Sequence, residues 1–124
     1  MSKAARSVYV FGIYLLVLGG ILIGSPNTLL ALFRLPSTTE PWVHVLGVVV
    51  MAIGMLDVAS ARTEQTGFFR ASVWVRLFVF ASFIVLALIK IAPPVLVAFG
   101  LVDAIAALWT HASLRKTAGT AAVV

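Results

Sequence analysis

The stretch "PVLVAFGLVDAIAALWTHASL", residues 94–114, is apolar for nearly its whole length, with one carboxylate, Asp103, near its middle. Such a run matches the roughly 20 residues that an α-helix needs to cross a hydrocarbon core of about 30 Å. Three more runs of the same kind precede it: "SVYVFGIYLLVLGGILIG" (7–24), "WVHVLGVVVMAIGMLDVASA" (42–61) and "ASVWVRLFVFASFIVLALIK" (71–90). Backbone N–H and C=O groups in lipid must be satisfied within the segment, so each run is expected to be a helix. Short connections make successive helices antiparallel. The expected fold is all-α: an integral membrane antiparallel four-helix bundle, one domain over 1–114, with a flexible cytoplasmic tail over 115–124.

Composition points the same way. Of 124 residues, 62 % are hydrophobic and only 10 % are charged. A chain of this length with so few charges cannot clothe a water-soluble surface. There is no cysteine, which excludes disulfides, thiol catalysis and thiolate metal sites. The net charge of +5 sits mostly at the ends of the apolar runs, which points to membrane topology and anionic lipid headgroups rather than nucleic acid.

Lys and Arg placement sets the expected orientation. Lys3, Arg6, Arg62, Arg70, Arg115 and Lys116 fall on one side, against Arg34 and Lys90 on the other. The positive-inside bias puts both termini in the cytoplasm. The first run begins with Lys3 and Arg6 like a signal peptide, but it is long for one, and "GSPNTLL" is a poor cleavage site. It is therefore read as a retained span. After it, "GSPNTLLALFRLPS" places Ser25 to cap a helix with Pro26 at its first position and Pro36 beyond its end. A short interfacial helix over about 26–35 and a bent continuation of the first span are both open.

The polar groups inside the spans are the candidate site. At 1.5 Å per residue, Asp57, Arg76, Tyr14 and Asp103 lie roughly 6, 8, 10 and 16 Å from the inner surface. A guanidinium reaches several ångströms and can serve two carboxylates, so Arg76 is expected to face Asp103 and Asp57, with Tyr14 near enough to donate. A lone Arg or Asp at mid-membrane costs about 2.5 to 3.5 kcal/mol on insertion scales, which favours the pairing. Helical periodicity puts Gly100, Ala106, Ala107 and Thr110 on the stripe of Asp103, Ile53 and Gly54 on that of Asp57, and Ser72, Phe80 and Phe83 on that of Arg76. Two roles are open for the cluster: fixing helix register, or binding a ligand or proton. Gly20 and Gly24 form a small-xxx-small pair that could mark a helix-contact face. His44 and His111 are read as interfacial side chains, and no cofactor or metal is expected.

Four short spans, the "SPNTLLALFRLP" segment and stretches such as "GLVDAIAALWT" resemble the DoxX-like superfamily of small bacterial membrane proteins. The resemblance covers about residues 8–112. It implies a four-helix bundle in the bacterial inner membrane and an accessory role, with some members linked to terminal oxidases or quinone-dependent redox systems. The expected function is non-enzymatic: an accessory subunit, or a binder of a hydrophobic small molecule such as a quinone, or of lipid. A small proton-coupled transporter using the Asp/Arg cluster is the alternative. A homo-oligomer or a larger membrane complex is compatible with either.

Overall fold

The computed structural model describes the backbone of residues 1–123 and the side chains of residues 1–116. Five helices follow in order: α1 Lys3–Gly24, α2 Pro26–Leu32, α3 Trp42–Arg62, α4 Thr66–Leu88 and α5 Val95–Val123. The described residues contain no strand. Four of the helices are long and apolar enough to cross a membrane. The tail expected over 115–124 falls largely on residues whose side chains lie outside the described part.

Helix limits follow local chemistry. Ser2 caps α1, its Oγ accepting the Ala5 N–H at 3.0 Å. The Glu64 carboxylate then holds Ser2, accepting its N–H at 2.6 Å and its hydroxyl at 2.7 Å. These two bonds hold the exposed Glu64 carboxyl below the usual glutamate range, the backbone N–H contributing most. Ser25 has φ −147°, which breaks the helix and makes α2 a separate element rather than a bent end of α1. The expected Ser25 side-chain cap is not formed. Pro26, which lacks an N–H and has φ already set, is sufficient to start α2.

Three helices end alike. Arg34, Glu64 and Lys90 have φ of 58°, 53° and 61°. Behind each, the next N–H reaches back five residues: Leu35 to Leu30 O, Gln65 to Ser60 O, and Ile91 to Leu86 O. This is the Schellman closure, in which glycine is usual because a Cβ crowds the left-handed conformation. Here charged side chains occupy that position, and all three are exposed.

By internal contacts the chain divides into two compact units, Met1–Val8 with Ser60–Val124, and Tyr9–Ala59. In the first, α4 and α5 form an antiparallel hairpin turned at Lys90–Pro94. Gly100 lies under Phe80 and Phe83: a Cβ built there would come 3.0 Å from the Phe80 ring. Ala4, Ala5, Val8, Ala61, Phe69, Val73, Ala104 and Ala107 are buried.

In the second unit α1 and α3 run antiparallel with their backbones in contact. A Cβ on Gly19 would lie 2.7 Å from Gly47 O and 2.8 Å from Met51 N. One on Gly47 would lie 2.9 Å from Gly19 O. Seven residues along each helix the pattern repeats, with Gly12 against Gly54 O at 3.1 Å and Gly54 against Gly12 O at 2.9 Å. In lipid, helices gain little by hiding apolar side chains from one another, so close van der Waals approach of bare backbone holds them. Gly20 and Gly24 take no part in this seam: Gly24 has nothing within 4 Å, and Gly20 meets the Met51 methyl at 3.6 Å. At the other end His44 Nδ1 bonds Ile23 O at 2.7 Å, covering a terminal carbonyl of α1. Asn27 clasps the Thr38 backbone at both its N–H and its C=O, which ties α2 to the following loop.

The glycine pairs generate a direct test. Gly19→Ala and Gly47→Ala put a methyl against backbone that no rotamer change can move. Each is expected to destabilise the protein in micelles by about 1 to 3 kcal/mol or more, despite the roughly 1 kcal/mol that alanine gains over glycine in helix propensity. Gly24→Ala should be neutral or stabilising. Equal behaviour of the three variants in a denaturant titration would contradict the backbone contact.

Candidate functional site

The site is built around Arg76. Its position on α4 follows from the apolar repeat, and it is buried, with 5 % of its surface exposed. A guanidinium cannot be neutralised in a protein, so a buried one has to be surrounded by acceptors. Ser72, one turn earlier on α4, supplies two: its carbonyl accepts from Nε at 3.2 Å and its Oγ from Nη2 at 2.8 Å. The third is Thr110 on α5, whose Oγ1 accepts from Nη2 at 3.1 Å.

From Thr110 the chain of bonds continues to α1. Thr110 Oγ1 and Ser7 Oγ are 2.7 Å apart. Ser7 Oγ also lies 2.7 Å from Ala4 O, and Thr110 Oγ1 lies 3.1 Å from Ala106 O. Each hydroxyl has one hydrogen, so they cannot donate both to each other and to their own carbonyls. The assignment that keeps the two shortest contacts has Arg76 donating to Thr110, Thr110 to Ser7, and Ser7 to the Ala4 carbonyl, and leaves the longer Thr110–Ala106 contact unused. Ser7 and Thr110 are fully buried, so this chain is closed to bulk water in the surroundings the structure gives it. Three helices are thereby joined at one level of the first unit: α4 by Ser72 and Arg76, α5 by Thr110, and α1 by Ser7.

The four candidate residues divide between the units. Arg76 and Asp103 lie in the first, Tyr14 and Asp57 in the second. Asp103 is half-buried on α5, two turns before Thr110, within electrostatic reach of the Arg76 charge. Within this unit Arg76 donates to two hydroxyls and a carbonyl. On α5 the guanidinium's hydroxyl partner, Thr110, lies about two turns beyond Asp103.

Asp57 is buried, at 4 % exposure, beside the bare backbone of Gly12. A Cβ on Gly12 would stand 2.9 Å from the Asp57 Cβ, so only glycine admits this approach. Tyr14 is half-buried, its ring 5.8 Å from that of Phe11 and tilted by 35°. Gly54 is buried as its stripe requires, but Ile53, expected beside it, is exposed at 46 %.

Ser7 is the site residue that sequence reasoning misses. As the opening residue of an apolar run it reads as a boundary. Its one signal is depth: Ser7, Ser72 and Thr110 all fall near the basic end of their helices, and three hydroxyls at one level can solvate a charge.

No protein-family model, no curated protein and no solved structure matches the chain. The roles of these residues therefore rest on geometry, and Thr110 offers the sharpest handle. Thr110→Val keeps the shape and removes the hydroxyl that Arg76 and Ser7 share. The expected loss is about 1 to 3 kcal/mol, the cost of stranding buried polar partners. Ser82→Ala removes only a local bond to Phe78 O and should cost well under that. Matching losses for the two variants, measured by reversible unfolding in micelles, would show that the chain of hydroxyls carries no particular energy.

Proposed function

We propose that this chain is an integral membrane protein of the non-enzymatic kind, an accessory subunit or a binder of a hydrophobic small molecule or lipid. All four long helices are read as spans of one antiparallel bundle, with both ends of the chain on the basic, cytoplasmic side. Support for insertion comes from the apolar side chains left exposed on α3 and α4, among them Val45, Val48, Val49, Leu56, Val75, Phe78 and Val85. In water such surface would be a strong aggregation liability, and hydrocarbon is the solvent that suits it. The layout that resembles the DoxX-like superfamily supports the same reading and adds the bacterial inner membrane and quinone-linked redox systems as the setting.

The observation that carries the non-transport reading is the way Arg76 is held. Its Nε and Nη2 make three bonds to Ser72 and Thr110, and Thr110 is itself tied to Ser7. A permanently charged group fixed on three sides sets helix register and local field; it does not shuttle a proton. Proton-coupled transport is kept as a second reading because Asp103 is only half-buried and lies in the field of Arg76. Half-buried carboxylates at such depth are the usual carriers in transporters.

The absence of native cysteine makes the test clean. Thr38→Cys and Gln65→Cys are expected to label with a membrane-impermeant maleimide from opposite faces. Ala107→Cys, at a fully buried position one turn from Thr110, is expected to resist the reagent from both faces. Labelling of Ala107→Cys, together with proton flux in proteoliposomes that Asp103→Asn abolishes, would replace the accessory reading with transport.

A further inference from the structure

The opening turn of α1 supplies the last acceptor of the buried chain of hydroxyls, the Ala4 carbonyl. That turn is itself tied to Glu64, which lies between α3 and α4. We infer that residues 2–5 form a gate to the Ser7–Thr110–Arg76 chain, and that Glu64 is its latch. The inference uses contacts within the first unit and does not depend on the function proposed above.

The latch acts through Ser2. Its N–H and its hydroxyl both donate to the Glu64 carboxylate, at 2.6 and 2.7 Å. Its hydroxyl oxygen accepts the Ala5 N–H at 3.0 Å, and its carbonyl accepts the Arg6 N–H at 2.9 Å. Both donors of Ser2 are thus held by Glu64, and its acceptors hold the start of the helix. Glu64 is fixed in turn by the close of α3, where its φ is 53° and the Gln65 N–H reaches Ser60 O at 3.0 Å. Packing adds little to this. The side chains that the turn buries, those of Ala4 and Ala5, are single methyl groups, and Lys3 is exposed. A helix end with so little apolar anchorage frays readily, so the bonds to Glu64 decide whether it stays closed.

What stands behind the turn makes its opening consequential. Ser7 is fully buried and donates to the Ala4 carbonyl at 2.7 Å. Its oxygen accepts from Thr110 at 2.7 Å, and Thr110 accepts from Arg76 at 3.1 Å. When residues 2–5 unwind, the Ala4 carbonyl leaves and the Ser7 hydrogen needs another acceptor. A buried donor left without one is unfavourable, so water follows the carbonyl out of place. The two ends of the device differ in solvation. Glu64 is exposed, and its bonds exchange with water at small net cost. Ser7 and Thr110 are shut away from it. An exposed latch on a buried chain therefore opens locally, well before the unit unfolds.

The test uses the full chain in micelles, with hydrogen exchange followed by nuclear magnetic resonance. The Ala5 and Arg6 amides, whose acceptors are on Ser2, report the turn. The Arg76 Nε–H reports the chain behind it, and the Ala104 amide, at a buried position in the middle of α5, reports the unit as a whole. Glu64→Ala is expected to speed exchange at Ala5, Arg6 and Arg76 Nε several-fold and to leave Ala104 unchanged. Glu64→Gln, whose amide oxygen still accepts the Ser2 N–H, should have a smaller effect. Glu40→Ala, at an exposed position of the second unit, should have none. Should Glu64→Ala fail to fold, Ser2→Ala removes the hydroxyl bond from the other side and is read in the same way. Unchanged exchange at Ala5 and Arg6 would overturn the latch. Faster exchange there with Arg76 Nε unchanged would show an end that frays without admitting water, and would overturn the gate. Equal acceleration at Ala104 would mean that Glu64 holds the whole unit, and would overturn a local opening.

Discussion

A guanidinium cannot shed its charge, and in a chain this apolar it has to be solvated by the protein. That constraint fixes much of the first unit. Arg76 takes the Ser72 carbonyl and hydroxyl from its own helix, which orients the side chain along α4. It takes Thr110 from α5, which sets the register of the hairpin. Through Thr110 it reaches Ser7, which brings in the first turns of α1. Moving any of these helices by one turn removes an acceptor from a buried charge, which costs more than any single apolar contact contributes.

The second unit is held by the opposite means. Between Gly12 and Gly54, and between Gly19 and Gly47, there are no side chains, and the backbones of α1 and α3 touch. The attraction is dispersion between close-packed atoms, weak per pair and large over two helical turns. The two devices, a hydrogen-bonded charge and a glycine seam, share one property. Neither depends on expelling water from apolar surface, so both would function in lipid as well as in water. The helix ends fit the same picture. Charged side chains at Arg34, Glu64 and Lys90 sit on left-handed backbone where glycine would be easier, each at the point where a long helix or α2 meets a loop. Polarity at the helix end outweighs the local strain there.

The long helices were legible because their signal is cumulative. Twenty apolar residues outvote any local ambiguity: the expected runs match α1 and α3 within a few residues at both ends, and α5 starts where expected but runs on to Val123. α4 begins at Thr66 rather than 71, because "TGFFR" is only weakly apolar and reads as loop. The contacts were less legible. Periodicity shows which residues share a stripe, and Thr110 and Ser72 were on the right ones, but it does not give the axial offset between two helices. With that offset open, charge complementarity points to the carboxylates, Asp103 and Asp57, beside Arg76. The hydroxyls carry no such signal. The glycine seam was hidden for the same reason: Gly20 and Gly24 are a visible motif within one helix, whereas Gly12 and Gly19 gain meaning only opposite Gly54 and Gly47 in antiparallel register.

The central claim is that Arg76 and Thr110 act as one unit in holding the fold. A double-mutant cycle measures this most directly, with Arg76→Met, Thr110→Val and the pair unfolded reversibly in micelles. If the charge is solvated through Thr110, the double variant should be more stable than the sum of the two single losses allows, by about 1 kcal/mol or more, because the second change removes a partner already lost. Strict additivity within about 0.3 kcal/mol would contradict the account and leave Arg76 and Thr110 as independent neighbours.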